Sequence, residues 1–199
     1  YPIGIQSFKE IRTGGYVYVD KTALVYKLTH SGKYFFLSRP RRFGKSLILS
    51  TLEAYFEGRK DLFEGLAIAE LEKDWAVHPV IHIDLNTGLY TSVEMLRQYL
   101  ITQVSRLEER FGRKDTEVLI SDRFSGVIER AAEKTGRKVV VLIDEYDKPL
   151  LETIGKPELQ EAFHDELRSF YSVLKSYDKY IHFAMLTGVT KFGRLSVFS

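Results

Sequence analysis

Five consecutive aliphatic residues, Val139-Val140-Val141-Leu142-Ile143, constrain this chain more than any other segment. Four of the five are β-branched, which favours a strand, and successive side chains of a strand leave on opposite faces. Both faces of this strand are apolar, so both must be covered. A sheet buried on two sides is the parallel kind that helices cover. The expectation is a three-layer α/β sandwich. Tyr34 to Ser38, Val80 to Leu85 and Ile181 to Leu186 read as further strands, and Tyr16 to Val19 is a short β-prone run ahead of them.

Helical periodicity fills the gaps between these strands. Asp20 or Thr22 can cap a lead-in helix with Leu24, Val25 and Leu28 on one face, ending at Gly32. A helix carrying Leu47, Ile48, Leu52, Tyr55 and Phe56 runs to Gly58, a suitable C′ residue. Residues 59 to 78 read as short helical pieces and loop around Leu62, Phe63, Leu66 and Trp75. Thr91-Ser92-Val93-Glu94 reads as a capping box opening a long helix that closes at Gly112, and a further helix around Phe124, Val127, Ile128, Ala131 and Ala132 ends near Gly136. Pro157 suits the first turn of a helix carrying Leu159, Phe163, Leu167, Phe170 and Leu174. Strands separated by helices of this length need crossover connections, hence a parallel sheet. One domain over residues 1–199 is expected, with 1–32 as lead-in and 33–199 as core.

Composition narrows the function classes. The 44% hydrophobic and 28% charged residues describe a chain that folds in water, and its longest aliphatic run is far short of the ~20 apolar residues that span a bilayer. No membrane helix is expected. The chain opens at Tyr1-Pro2 without a basic n-region or an apolar h-region, so the cytoplasm is the expected compartment. With no cysteine, disulfides, thiolate metal sites and a thiol nucleophile are excluded. The net charge of +2 is too balanced for bulk nucleic-acid binding, which leaves local clusters to decide.

The densest basic cluster lies between the Tyr34 strand and the following helix. Arg39-Pro40-Arg41-Arg42-Phe43-Gly44-Lys45-Ser46 fits GxxxxGK[ST] at every defined position except the first, where Arg39 stands for Gly. Backbone N–H groups of residues 42 to 46, at a helix N-terminus, suit a β-phosphate. Gly44 permits close approach, Lys45 can span the β- and γ-phosphates, and the Ser46 hydroxyl can ligate Mg²⁺. The candidate nucleotide-binding residues are Arg42, Phe43, Gly44, Lys45, Ser46 and Leu47. Pro40 has no N–H and Arg39 lacks the φ freedom of Gly, so the loop entrance is stiffer than the standard version.

About a hundred residues on, the Val139 strand delivers Asp144 and Glu145 at its C-terminal end. Asp144 suits the metal of a metal–nucleotide complex, and Glu145 suits orientation or deprotonation of a water attacking a γ-phosphate. Thr187, at the end of the Ile181 strand, can touch the γ-phosphate or that water. Either motif alone also describes an ordinary turn; their order and placement on the elements point to ATP or ADP with Mg²⁺.

At these residues the sequence resembles the AAA-ATPase-like family of the P-loop NTPase superfamily. The resemblance runs through Pro2-Ile3-Gly4-Ile5-Gln6-Ser7-Phe8, Tyr18-Val19-Asp20-Lys21-Thr22, the Phe36 to Ser46 segment, Leu142-Ile143-Asp144-Glu145-Tyr146-Asp147-Lys148-Pro149 and His182 to Phe192. It implies a sheet of order 5-1-4-3-2, with the Thr187 strand between the loop strand and the Asp144 strand, and Arg at the first loop position as an ordinary family feature. It also implies a fifth strand and a helical lid beyond this chain, then a C-terminal effector resembling a PD-(D/E)XK nuclease. Arg168 and Arg194 are the candidates for an arginine completing the site, and self-association is the other source of one.

Other residues carry less. The five histidines show no HExxH or paired ligand spacing, so packing or surface roles are expected of them. Arg41 and Arg42 could contact phosphate, a partner or single-stranded DNA, but no aromatic platform is locatable beside them, which favours the nucleotide. Ile3, Ile5 and Phe8 could pack on adenine or on the core. Two functions stay open: an ATPase that drives or gates an attached domain, and a nucleotide-dependent switch with little or no hydrolysis.

Overall fold

The computed structural model of the chain describes residues 4–190. In chain order these form α1 (Phe8–Thr13), α2 (Thr22–Ser31), β1 (Tyr34–Ser38), α3 (Lys45–Phe56), α4 (Ala67–Leu71), β2 (Val80–Asp84), α5 (Val93–Phe111), α6 (Ile120–Thr135), β3 (Val139–Asp144), α7 (Lys148–Leu151), α8 (Pro157–Ser176) and β4 (Ile181–Gly188), with 3₁₀ turns at Lys60–Phe63 and Asp178–Tyr180. The four strands make one parallel sheet in the order β1-β4-β3-β2. That is the inner part of the expected order. A strand beyond β1 is not among the described residues.

Each layer follows from strand alternation. Val139, Val141 and Ile143 of β3, with Ile81 and Ile83 of β2, face a core built with α5, α6 and α8. Val140 and Leu142 turn the other way, into a core with Leu49 and Leu52 of α3 and with Phe8, Phe63 and Trp75. All six residues of β3 are buried, as a strand covered on both sides requires. Burying a Leu, Val or Phe side chain stabilises by about 1.5–3 kcal/mol, so these two interfaces carry much of the folding free energy.

The structure departs from the expected elements at Tyr16 to Val19 and at the starts of α2 and α5. Tyr16 to Val19 forms no strand; with no neighbouring strand to pair with, it runs as open chain, with Val17 and Val19 exposed and Tyr18 turned edge-on to Phe8 at 5.3 Å. Phe8 is fully buried against Phe63 and belongs to the core, not to a ligand surface. Ile3 lies outside the described residues. The N-cap of α2 is Lys21, with no side-chain cap bond, and not Asp20 or Thr22; one residue earlier, Asp20 Oδ1 accepts from the Thr22 N–H at 2.8 Å and its Oδ2 accepts from the Ala67 N–H at 2.7 Å, tying α2 to α4. At α5 the capping residue is Ser92, whose hydroxyl accepts from the Met95 N–H at 3.2 Å, so the expected box begins one residue later than Thr91 and Glu94 falls short of the reciprocal position.

Candidate functional site

Parallel strands end on one edge of the sheet, and that edge gathers the chemistry. Ser38, Asp84, Asp144 and Gly188 all close their strands there, with Asp84 registered beside Asp144 and Leu37 beside Thr187. The crevice beyond the carboxyl ends of such strands is where open α/β sheets bind ligands.

The loop 39–44 leaves β1 and turns into α3. Gly44 sits at φ 74° as the N-cap of α3, a left-handed conformation that costs glycine least, and Arg42 adopts φ 66° beside it. These reversals turn the chain into the first turn of α3, where helix geometry leaves the opening N–H groups without intrahelical partners. At the other end the Arg39 N–H donates to the Gly188 carbonyl at 3.0 Å, fastening the loop to β4. Arg41, Arg42 and Phe43 are exposed, Ser46 and Leu47 are half-buried, and Lys45 is 4% exposed.

Lys45 turns inward. Its ammonium donates to the carbonyls of Arg39 at 3.1 Å and Pro40 at 3.2 Å and lies 3.0 Å from Glu145 Oε1. Three donors meet three oxygens, so the charge is answered inside the protein. Asp144 and Thr187 lie beside this pair. The Thr187 hydroxyl donates to Asp144 Oδ1, which also accepts the Glu145 N–H at 3.0 Å. Asp144 Oδ2 stays outside these bonds. Glu145 adopts φ 51°, a left-handed conformation unusual for a residue with a side chain, which turns its carboxylate toward Lys45.

Thus the structure brings Lys45, Glu145, Asp144 and Thr187 together at the edge of the sheet, with Ser46 in the first turn of α3. Arg168 is exposed on α8, and Arg194 lies outside the described residues. Among the described residues no three His, Asp or Glu side chains converge as metal ligands. Mg²⁺ suits the oxygens of Ser46 and Asp144, and it ordinarily completes its shell with phosphate and water.

Two features escaped the sequence reading. One is a cavity of about 630 Å³ between the lead-in and α3, lined by Val17, Val19, Leu24, Leu28, Phe43 and Leu47 and opening beside Gly44. The signal was present in Tyr16 to Val19: apolar residues with no strand to join. The other is Asp147, fully buried, whose Oδ2 accepts from the N–H groups of Val189 at 2.9 Å and Thr190 at 2.6 Å and from the Thr190 hydroxyl at 2.8 Å. It stands three residues after Asp144, too close in sequence to separate from an acidic turn.

A phosphate-type loop fastened to a parallel sheet of order 1-4-3-2, with an acidic pair at the end of the strand beyond β4, defines a P-loop NTPase core. A family described as Predicted AAA-ATPase matches residues 2–198, and the chain belongs to that family. It is 43% identical over 200 residues to an uncharacterized protein in the vnfD 5′ region of Azotobacter chroococcum mcd 1, covering 100% of this chain and 39% of that protein. The chain therefore spans about two fifths of that relative's length. No solved structure matches.

Proposed function

We propose that this chain binds ATP with Mg²⁺ at the Arg39 to Ser46 loop and hydrolyses it to ADP and phosphate. One observation carries this: the only buried lysine among the described residues belongs to that loop and is paired with the carboxylate that the strand bearing Asp144 delivers. A lysine held this way is poised to exchange one set of oxygens for another.

In this scheme the β- and γ-phosphates replace the Arg39 and Pro40 carbonyls and Glu145 around the Lys45 ammonium, while the N–H groups of Gly44, Lys45 and Ser46 take the phosphate oxygens. Lys45 then leaves Glu145, which is free to accept a proton from water. As the water oxygen bonds to the γ-phosphorus, the bond from that phosphorus to the ADP oxygen breaks, and the water's proton passes to Glu145. Thr187 and the Glu145 N–H hold Asp144 Oδ1, leaving Oδ2 for the metal's hydration shell. Ser46 and Asp144 would hold Mg²⁺, which neutralises charge on the phosphates. The base would lodge in the cavity beside Gly44, against Val17, Val19 and Leu24.

A second reading is favoured by the same ion pair. With Glu145 bound to Lys45, nucleotide binding alone changes the environment of the β3–α7 turn, and a slow ATPase of this kind would serve as a switch for a domain attached in a longer protein. Phosphate release separates the two. Wild type should turn over, Glu145→Gln should fall by ~10²–10⁴-fold, the usual contribution of a general base, and Lys45→Ala should weaken binding strongly. Nucleotide binding with release no faster than Glu145→Gln would leave the switch.

A further inference from the structure

Asp147 is fully buried. Three donors crowd onto Oδ2, all from the turn after β4, while Oδ1 is buried without a hydrogen-bond partner. A Cβ on residue 188 would come within 2.5 Å of that oxygen, so only glycine there leaves the carboxylate its place. A buried oxygen without a partner is costly. What the carboxylate provides is one strong acceptor that can take three donors at once.

Those donors flank the site. The Tyr146 N–H donates to the Thr187 carbonyl at 2.9 Å, and the Tyr146 hydroxyl donates to the Thr190 carbonyl at 3.0 Å. The Tyr146 carbonyl in turn accepts from the Tyr171 hydroxyl of α8 at 3.0 Å. On the far side of the same turn, Gly188 and Val189 accept from the Arg39 N–H and the Ser38 hydroxyl at the loop entrance. The turn carrying Glu145 and the turn following Thr187 are thereby bolted together, and the second is bolted to the phosphate loop.

We infer that Asp147 is a positioning residue for hydrolysis. By clamping Val189 and Thr190 it fixes Thr187, and with it the Asp144 and Glu145 carboxylates, relative to the loop. This rests on the ATPase assignment above. Asp147 touches no group assigned to phosphate, so its loss should move kcat and leave KM nearly unchanged.

The test uses the whole chain in two measurements. In the nucleotide-free protein, amide hydrogen exchange reads the clamp alone: Asp147→Ala should speed exchange at Val189 and Thr190, while Ala184, whose N–H is held by the Lys33 carbonyl in mid-sheet, stays protected. Steady-state phosphate release should then show kcat down by about 10- to 100-fold, the scale on which misplacing catalytic groups acts. Asp147→Asn keeps an acceptor oxygen and should restore most of both. If Asp147→Ala does not fold, Thr190→Val removes one donor and should lower kcat several-fold at unchanged KM. Wild-type kcat in a folded Asp147→Ala or in Thr190→Val, or an Asn variant no better than Ala, would overturn the inference while leaving the ATPase assignment standing. Wild type no faster than Glu145→Gln would remove the assignment and the catalytic role with it, even if exchange at Val189 and Thr190 still responds.

Discussion

Lys45 and Glu145 show how much a residue's partner matters to what it does. The type and spacing of both were legible in the sequence, because GK[ST] after a strand and an acidic pair at a strand end are local patterns. Their mutual contact was not, since which of two adjacent carboxylates turns toward the lysine depends on the left-handed φ of Glu145. The contact bears on binding. Glu145→Gln removes the charge that competes with phosphate for Lys45, so nucleotide affinity should hold or tighten even as hydrolysis falls, and calorimetry showing clearly weaker binding would argue against that competition. The cavity residues give a sharper check on where the base sits. Leu24 is exposed on its apolar wall, so Leu24→Glu places a charge where only a bound base would cover it, and covering a charge without a partner is expensive. Affinity for ATP should drop about 10-fold or more on that ground, with binding of inorganic tripolyphosphate unchanged. Equal losses for both ligands would put the base elsewhere.

Strands and long helices were readable because their apolar periods repeat often enough to be distinctive. α1 and α7, six and four residues long, offer too few turns for a period to show, and Tyr16 to Val19 has strand-forming residues without a partner strand. Pairing detail is likewise invisible in sequence. At the start of β4, Val139 pairs with Ile181 and Val140 with Phe183, so His182 is the extra residue of a bulge. The bulge stacks His182 on His78, with ring centroids 4.0 Å apart and planes 12° apart. Burial, then the neighbouring His78, Lys138 and Lys33, pushes the His182 imidazole down to about 4, and burial also lowers His78. The sign follows directly. Below the ordinary histidine value of 6.5 the unfolded chain takes up protons that the folded stack refuses, so stability falls as pH drops through the window from there to about 4. His182 keeps part of its ring in water, which moderates the effect. Thermal melts should show wild type losing more stability between pH 7 and pH 5 than His182→Gln does. Equal losses would mean the stack does not govern the acid limb.

At the scale of the molecule, the lead-in is built into the core: Phe8 and Val25 pack in the same cluster as Leu49 and Leu52 of α3. We propose accordingly that residues 1–32 and 33–199 work as one domain. No helix of the described residues is long and apolar enough to cross a membrane. The matched relative is longer than this chain. An arginine from a neighbouring subunit or a following domain contributes ~10³–10⁵ in rate where GTPases have been measured, and Arg168 is turned to solvent on α8. Phosphate release by this chain alone should therefore be slow and should rise per chain with protein concentration or in a longer form of the protein; a fast rate independent of concentration would contradict this. Nucleotide binding at the loop underlies the expectations for affinity and turnover. Calorimetric titration of Mg·ADP into wild type and folded Lys45→Ala tests it most directly: the variant should bind more weakly by about 1.5–3 kcal/mol, the worth of a charge-assisted hydrogen bond, and equal affinity in the two would contradict it.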